Sequence, residues 1–241
     1  MEDPTLNDLA TANNSAYYDD ETVPDNYTKL TELSSSDIST YKHNSKPHVI
    51  IAHKGTDFSD KNGIRKDVRA DLNIALGNKN SDALHKRRTK KTEKIVTALK
   101  KSYPDHDIHL TGFSLGGSSA SHALATSKIV RDNVKSLNTF NAGSSALVNK
   151  PTVTDEIRKE LLSKSTHHRI KNDEISAHVK SNLIGKHKEY ASKKQPTVQQ
   201  HLLQMATPLL NRTFAGRLSS FGAKKALDTL QAHSIDNFIK K

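Results

Sequence analysis

The segment TGFSLGG, residues 111–117, places a serine between glycines directly after a short strand-like run. The pattern G-x-S-x-G at a strand-to-helix junction forms a sharp turn that exposes the serine hydroxyl. Glycine at positions 112 and 116 removes the side chains that would collide in this turn. The N-terminus of the helix that follows favours negative charge. We therefore predict that Ser114 is the nucleophile of an acyl-transfer reaction, with Gly112 and Gly116 shaping its turn.

A serine nucleophile needs a base and an acid that orients the base, and on such a fold they follow the serine in the order acid, histidine. Asp173 ends the strand-like segment THHRIKND and is the predicted acid, with Asp155 as the alternative. His233 follows a long helical stretch and is the predicted base. His178 is the alternative base, although it lies only five residues after Asp173.

Acyl transfer also needs hydrogen-bond donors for the oxyanion that develops on the substrate. The backbone N–H of Leu115, directly after the nucleophile, can supply one donor. A loop after an early strand, IIAHKGTD, can supply the second through the N–H of Thr56, since Gly55 allows the backbone to approach closely. The predicted oxyanion hole is therefore formed by Thr56 and Leu115.

The elements that must position these residues alternate between strands and helices along the chain. The apolar run VIIA at 49–52 is typical of a strand buried on both faces of a parallel sheet. Other segments with strand or helix periodicity are a helix at 4–18, a helix at 81–102, a strand at 107–111, a helix after residue 114, a strand at 135–143, a helix at 152–163 and a strand at 166–173. This alternation predicts a three-layer α/β fold with a mostly parallel central sheet.

No linker or internal repeat divides the 241 residues, so we predict a single domain over 1–241. Residues 1–46 are expected to form a helix followed by polar loops. Residues 181–231 are expected to form a helical insertion before the catalytic histidine.

Four segments together resemble the class 3, or fungal-type, lipases: IIAHKGTD, TGFSLGG, NTFNAG, and RIKND with a late HSIDNF. Members of that family carry an R-G-[ST] loop, a T-G-H-S-L-G-G turn, an F-G-x-P strand end, an N-x-D strand end and a closing histidine. The resemblance implies an α/β-hydrolase fold, a lipid ester substrate and a serine–histidine–aspartate triad of Ser114, His233 and Asp173. It implies no cofactor.

The chain departs from the family pattern at four positions, which identifies it as a divergent member. Lys54 replaces the loop arginine, Phe113 the histidine before the serine, Asn141 a glycine, and Glu174 a proline. The family's apolar lid corresponds here to DFSDKNGIRKDVRADLNIALG, residues 57–77, in which eight of the 21 residues are charged. A polar lid favours a phospholipid or short-chain ester over a triglyceride droplet.

The formal net charge of +11 favours contact with polyanions, and an acidic membrane surface is the expected partner besides the ester substrate. The basic run HKRRTKK at 85–91 is interpreted first as a solvated helix face. It lacks the interleaved aromatics of single-strand binders, so a nucleic-acid partner is not expected. No signal peptide or apolar run of membrane-spanning length is found, so a cytoplasmic or membrane- or particle-associated protein is expected.

The absence of cysteine excludes disulfides and zinc–thiolate sites. The histidines at 43, 48, 53, 167 and 168 have no recognised metal-ligand spacing, so no metal is expected. The alternative to an ester hydrolase is an α/β-hydrolase fold kept as a binding or structural protein, which uses its basic surface to contact a membrane or nucleic acid.

Overall fold

The computed structural model describes residues 2–16, 23–55, 81–143, 153–171, 173, 183–192 and 234–239. The strands are β1 (Tyr27–Lys29), β2 (Ile38–His43), β3 (His48–His53), β4 (Asp107–Phe113), β5 (Val134–Phe140), β6 (Ser165–Ile170) and β7 (Lys186–Tyr190). The helices are α1 (Leu6–Ser15), α2 (Ser81–Ser102), α3 (Leu115–Thr126), α4 (Lys128–Asn133) and α5 (Asp155–Lys164). Two 3₁₀ turns span Thr31–Leu33 and Ile235–Asn237.

The seven strands form one sheet in which their spatial order follows their order in the chain. The pairs β1–β2 and β2–β3 are antiparallel, whereas every pair from β3 to β7 is parallel. Helices α2 to α5 lie between the central parallel strands in the chain. The prediction of an α/β-hydrolase-like fold with a mostly parallel sheet is confirmed.

Strand β3 separates two hydrophobic cores, one on each face of the sheet. Val49 and Ile51 belong to a core that includes apolar residues of α2 and α3, whereas Ile50 and Ala52 belong to a core that includes α1 and the C-terminal 3₁₀ turn. Successive side chains in a strand point to opposite faces, so an unbroken apolar run can serve both cores. The three layers are therefore helices, sheet and helices.

Helix α1 begins with a capping box that fixes its first turn. The Thr5 hydroxyl accepts from the Asp8 backbone N–H at 3.2 Å, and the Asp8 carboxylate accepts from the Thr5 N–H at 2.8 Å. These bonds satisfy donors that a helix N-terminus leaves without intrahelical partners. The cap directs Leu9, Ala10 and Ala12 into the core, in agreement with the predicted N-terminal helix.

Two segments that the sequence predicts to be helical or irregular contribute strands to the sheet instead. The part of 1–46 that follows α1 contains strands β1 and β2 besides loops, and the part of 181–231 that is described contains strand β7. β2 has little apolar sequence beyond Ile38 and Tyr41, and four of the five residues of β7 are exposed. Because these strands lack an alternating apolar pattern, they give little strand signal in the sequence.

Helix α2 has the predicted bounds, but some of its polar residues are buried where a solvated face was predicted. Ile95, Val96 and Leu99 are buried as expected. Within the basic run 85–91, however, His85, Arg88 and Thr89 are also buried, so the run is not a uniformly solvated face. No helix among the described residues has the length and hydropathy needed to cross a membrane.

Candidate active site

Ser114 lies between β4 and α3 in a backbone conformation that side chains rarely adopt. Its φ is 52° and its ψ is −122°. The Ser114 N–H donates to the Phe140 carbonyl at 3.0 Å, and the Ser114 carbonyl accepts from Gly143 and Ser118 N–H groups, each at 3.2 Å. A strained residue persists only where its surroundings fix it. Here the surroundings are β5, the loop after β5 and α3, whose hydrogen bonds to Ser114 hold it in this conformation.

Glycine at positions 112 and 116 is required by close backbone contacts around the serine. A Cβ on Gly112 would lie 2.4 Å from the carbonyl carbon and oxygen of Gly116. A Cβ on Gly116 would lie 2.1 Å from the carbonyl oxygen of His53 and 2.9 Å from the carbonyl carbon of Lys54. Helix α3 therefore begins in direct contact with the end of β3.

Leu115 is the first residue of α3 and follows Ser114 directly. N–H groups in the first turn of an α-helix have no intrahelical acceptor and carry partial positive charge. The turn thus places a serine hydroxyl and the N-terminus of a buried helix at the same end of the sheet. Ser114 itself is buried, with 5% of its surface exposed.

Asp173 lies at the same end of the sheet, three residues after β6, and is completely buried. Its N–H donates to the Ile170 carbonyl at 3.2 Å, which closes a turn at the end of the strand. β5 lies between β4 and β6, so the ends of β4 and β6 are about 10 Å apart at the usual strand spacing. An imidazole between a serine and an aspartate can span such a separation. Asp155, the alternative acid, is exposed in the first turn of α5.

Three predicted site residues lie outside the described residues: Thr56, His233 and the alternative base His178. Gly55, directly before Thr56, and Ser234, directly after His233, are described. Gly55 is buried in the loop after β3. The 3₁₀ turn that begins after Ser234 is followed by Phe238, whose ring packs on Phe140 at a centroid distance of 4.8 Å. Phe140 is the last residue of β5, so this segment docks at the carboxyl end of the sheet.

A buried arginine binds the backbone of the loop after β3. The sequence analysis did not predict this residue as part of the site. Arg88 of α2 donates from Nη1 to the Lys54 carbonyl at 2.6 Å, and its side chain is only 6% exposed. Asp37 lies beside it, with a carboxylate oxygen 3.9 Å from Nη2. The residue type gave no signal, because arginine in a basic helical run is typical of a solvated surface.

The charge of Arg88 is balanced by Asp37, which also binds Lys91 at 2.7 Å and Arg87 at 3.3 Å. Burial opposes ionisation of this carboxyl, but the hydrogen bond from Lys91 and the charges of the three cations hold its pKa below the usual value. Asp37 is therefore a carboxylate at neutral pH, and the pair Asp37–Arg88 fixes the Lys54 carbonyl by charge-assisted contacts.

His53 ends β3 and is fully buried beside this arginine. Thr92 donates its hydroxyl proton to the Arg88 carbonyl at 2.8 Å, so its oxygen accepts from His53 Nε2 at 3.0 Å. Burial, with the charge of Arg88 as a smaller cause, lowers the pKa of His53 to about 3. His53 is thus a neutral structural imidazole at the base of the loop.

The departure at position 141 has a structural explanation. Asn141 follows β5 with a φ of 42°, in the left-handed region that glycine and asparagine tolerate best. Its side-chain oxygen accepts from the Ile170 N–H at 2.9 Å, and its own N–H donates to the His168 carbonyl at 2.8 Å. Asparagine can therefore replace the family's glycine at this position. Its hydrogen bonds join the end of β5 to the end of β6, three residues before Asp173.

Comparison with known proteins gives one family match and several remote structural likenesses. The sequence profile of the family described as Lipase (class 3) matches residues 56–178, slightly more than half of the chain. No curated protein matches the chain.

Solved structures similar to this one include fungal enzymes at low identity. A mutant form of MDLA from Penicillium cyclopium is 14% identical, with 79% of this chain and 77% of that chain covered and a TM-score of 0.48. The Lip2 lipase of Yarrowia lipolytica is 13% identical, with 78% and 77% covered and a TM-score of 0.48. The triacylglyceride lipase of Rhizomucor miehei is 14% identical, with 78% and 79% covered and a TM-score of 0.46.

Proposed function

Because this chain belongs to the class 3 lipase family, we propose that it hydrolyses carboxylic esters of lipids through an acyl-enzyme on Ser114. The observation that carries the proposal is the backbone of Ser114, held at a φ of 52° between two glycines that no side chain could replace. A serine with a merely structural role would not require this strain. The buried Asp173 two strands away supports the same assignment.

In the proposed first step, His233 accepts the hydroxyl proton of Ser114 while the serine oxygen attacks the ester carbonyl carbon. Asp173 accepts a hydrogen bond from the other ring nitrogen and stabilises the imidazolium that forms. Burial suits this role, because a carboxylate away from water interacts more strongly with the developing positive charge.

The carbonyl oxygen becomes an oxyanion in this step, and the N–H groups of Leu115 and Thr56 are the proposed donors. The Leu115 N–H belongs to the first turn of α3 and the helix adds its partial positive charge. Arg88 is a positioning residue for this oxyanion hole: it binds the carbonyl of Lys54, two residues before Thr56.

The first half of the reaction ends when the imidazolium gives its proton to the leaving alcohol and the acyl group remains on Ser114. In the second half, His233 takes a proton from the attacking water. The water oxygen forms the new bond to the acyl carbon, and the proton returns to the serine oxygen. The products are a free fatty acid and an alcohol.

For the substrate we propose lipid esters with polar or anionic headgroups. Residues 57–77 follow the predicted oxyanion loop in the sequence, eight of these 21 residues are charged, and the chain carries a net charge of +11. A segment with this many charges is disfavoured in a neutral oil droplet, whereas cationic residues attract acidic headgroups. An ester panel that compares chain length and headgroup charge tests this part of the proposal separately.

The principal test compares Ser114→Ala with Ser121→Ala. Both serines lie in or beside α3 and are buried, but only Ser114 occupies the strained turn. We expect turnover in the Ser114 variant to fall roughly 10⁴-fold or more, while the Ser121 variant retains activity. A fluorophosphonate probe should label the parent protein and the Ser121 variant only.

Unchanged turnover in a folded Ser114→Ala protein would overturn the proposal. Failure of the parent protein to react with the probe and with every ester would favour the alternative, in which the fold serves as a binding or structural protein. Circular dichroism of each variant separates loss of the nucleophile from loss of the fold.

A further inference from the structure

A second cluster of reactive side chains lies at the opposite end of the central strands from Ser114. His48 begins β3, Asp107 begins β4, His109 follows two residues later, and Asp3 precedes α1. Each of the four residues offers one ligand atom, and these atoms all lie within 4.8 Å of one another. β4 has seven residues, so roughly 20 Å separates this cluster from the serine turn.

Strand register explains why these side chains meet. His48 pairs with Asp107 across the parallel strands β3 and β4. Residues two apart in a strand share a face, so Asp107 and His109 lie on the same face as His48. This is the face covered by α1, and the residues before α1 bring Asp3 to the same place.

Hydrogen bonds hold each imidazole through one nitrogen and leave the other without a partner. His48 Nε2 lies 2.7 Å from the Glu2 carbonyl, which can only accept, so Nε2 is the donor and Nδ1 is the nitrogen open to a ligand. His109 Nδ1 lies 2.9 Å from the Ser136 hydroxyl. Among the described residues no group bonds His48 Nδ1 or His109 Nε2, and both residues are 1% exposed.

This arrangement is the one that metal-binding histidines adopt in proteins. A ligating histidine usually donates its second ring N–H to a carbonyl, carboxylate or hydroxyl, and this bond fixes the tautomer and the orientation of the ring. Here the Glu2 carbonyl and the Ser136 hydroxyl occupy those outer positions. A buried imidazole nitrogen that has no hydrogen-bond partner destabilises the protein unless a ligand such as a metal ion binds it.

The two carboxylates already attract a cation. Lys135 donates to Asp3 Oδ1 at 2.7 Å and to Asp107 Oδ2 at 2.8 Å. Each carboxylate uses one oxygen for this bond and retains the other. The lysine side chain is 44% exposed, so its ammonium can move to solvent when another cation binds.

We propose that Asp3, His48, Asp107 and His109 form a binding site for a divalent transition metal of the zinc class. Two imidazole nitrogens and two carboxylate oxygens are the donor set that Zn²⁺ accepts, whereas Ca²⁺ and Mg²⁺ prefer oxygen alone. Tetrahedral ligands of zinc lie about 3.4 Å apart at the usual bond lengths. The cluster therefore needs to contract by an ångström or so on binding, which exposed Asp3 permits.

Four protein ligands close the coordination shell, which makes the site structural. The metal would tie the segment before α1 to the first residues of β3 and β4. The ligands lie at positions 3, 48, 107 and 109, so no local spacing could predict the site from the sequence. The expectation that the chain binds no metal rested on local spacing alone.

The test is zinc binding by the untagged full chain, measured by isothermal titration calorimetry and by the thermal midpoint with and without Zn²⁺. The parent protein should bind one equivalent and gain thermal stability. His109→Gln and Asp107→Asn should weaken binding roughly 100-fold or more, and the outer-position variant Ser136→Ala roughly 10-fold.

Lys135→Met is the decisive variant because it removes the competing ammonium without touching a ligand. We expect it to bind Zn²⁺ roughly 3- to 10-fold more tightly than the parent protein, since two partly exposed ion pairs no longer oppose the metal. A cluster held only by its lysine salt bridges would instead lose stability and gain no affinity.

Two results would overturn the proposal. One is the absence of zinc binding in both the parent protein and Lys135→Met, with each folded by circular dichroism. The other is stoichiometric binding that Asp107→Asn and His109→Gln leave unchanged, which would assign the metal to other histidines. Ester turnover is not a readout of this site.

Discussion

At the carboxyl end of β4, backbone geometry fixes Ser114, whereas at the amino end of the same strand, side chains from separate segments meet around Asp107. The serine turn depends on Gly112 and Gly116, neither of which has room for a methyl group. The amino-end cluster depends on charges and lone pairs instead, with Lys135 bound to two carboxylates. Substitutions that add bulk should therefore disrupt the structure at the carboxyl end of β4. Substitutions that change charge should disrupt the cluster at its amino end.

Gly116→Ala should produce the largest effect. Its methyl group would lie 2.1 Å from the His53 carbonyl oxygen. The backbone fixes the position of this methyl group, and the oxygen belongs to the backbone, so no side-chain rotation can relieve the contact. We expect the free energy of unfolding to fall by about 3 kcal/mol or more and turnover to be lost. Urea unfolding measures the first quantity and an ester assay the second.

Ala120 offers a matched control within the same helix. It is buried in the core that includes α2 and α3 but lies one turn beyond the close contact with β3. Ala120→Gly removes a methyl group and should cost about 1 kcal/mol, the ordinary helix-propensity difference. Equal losses in the two variants would contradict the steric argument for the turn.

Arg88→Met should produce the next largest effect at the carboxyl end. It removes the donor to the Lys54 carbonyl and leaves that carbonyl without its charge-assisted bond. We expect a loss of about 1–3 kcal/mol in unfolding free energy. Because the loop would shift, kcat should fall roughly 10- to 100-fold with a smaller change in KM.

Arg87→Met provides the comparison, since Arg87 binds the same Asp37 carboxylate but its side chain is 58% exposed. An exposed ion pair contributes little, so stability should change by about 0.5 kcal/mol or less and kcat should be retained. If both variants lowered kcat equally, the charge of the cluster and not the contact with Lys54 would be responsible.

His53→Gln should change the pH dependence of stability. The pKa of His53 is lowered to about 3 in the folded protein, so the unfolded chain takes up its proton first, near pH 6.5. The contribution of His53 to the free energy of unfolding is therefore fully present above pH 6.5 and is lost as the pH falls toward 3. Each pH unit in this window removes about 1.4 kcal/mol.

Glutamine can donate to the Thr92 oxygen as His53 does, but it does not titrate. The variant should therefore keep most of its stability at pH 7 and show a shallower loss between pH 6 and pH 4. Urea unfolding across this range measures the difference, and parallel curves for the two proteins would contradict the assignment of a buried neutral imidazole.

The smallest expected effect separates two variants that both lack the proposed nucleophile. At a φ of 52° alanine is strained and glycine is not, so Ser114→Gly should be more stable than Ser114→Ala by about 1 kcal/mol. Elsewhere glycine is normally the less stable of the two. The reverse order would show that the turn stores no backbone strain at this residue.

The sequence predicted the parts of this structure that depend on neighbours along the chain. The serine turn is encoded within residues 111–117, and the central strands carry apolar runs that only a sheet buried on both faces explains. The helix bounds 81–102 follow from the same periodicity. Local pattern was sufficient because each of these elements contains its own signal.

Contacts between distant polar residues could not be predicted in this way. Arg88 and His85 have the residue types of a solvated helix face, yet both are buried against α3 and the loop after β3. His48 and His109 have no metal-ligand spacing, and only the register of β3 with β4 brings them together. Side-chain burial of this kind depends on the tertiary fold, which the local pattern does not specify.

Among the described residues β7 is the last strand of the sheet, and this position has a consequence for how the protein behaves at high concentration. A strand at the end of a sheet presents backbone groups that a second chain could pair with, and charged side chains discourage such pairing. β7 carries Lys186, Lys188 and Glu189, all exposed, and β1 at the other end is only three residues long. Crowded molecules should therefore remain separate instead of joining edge to edge into fibrils.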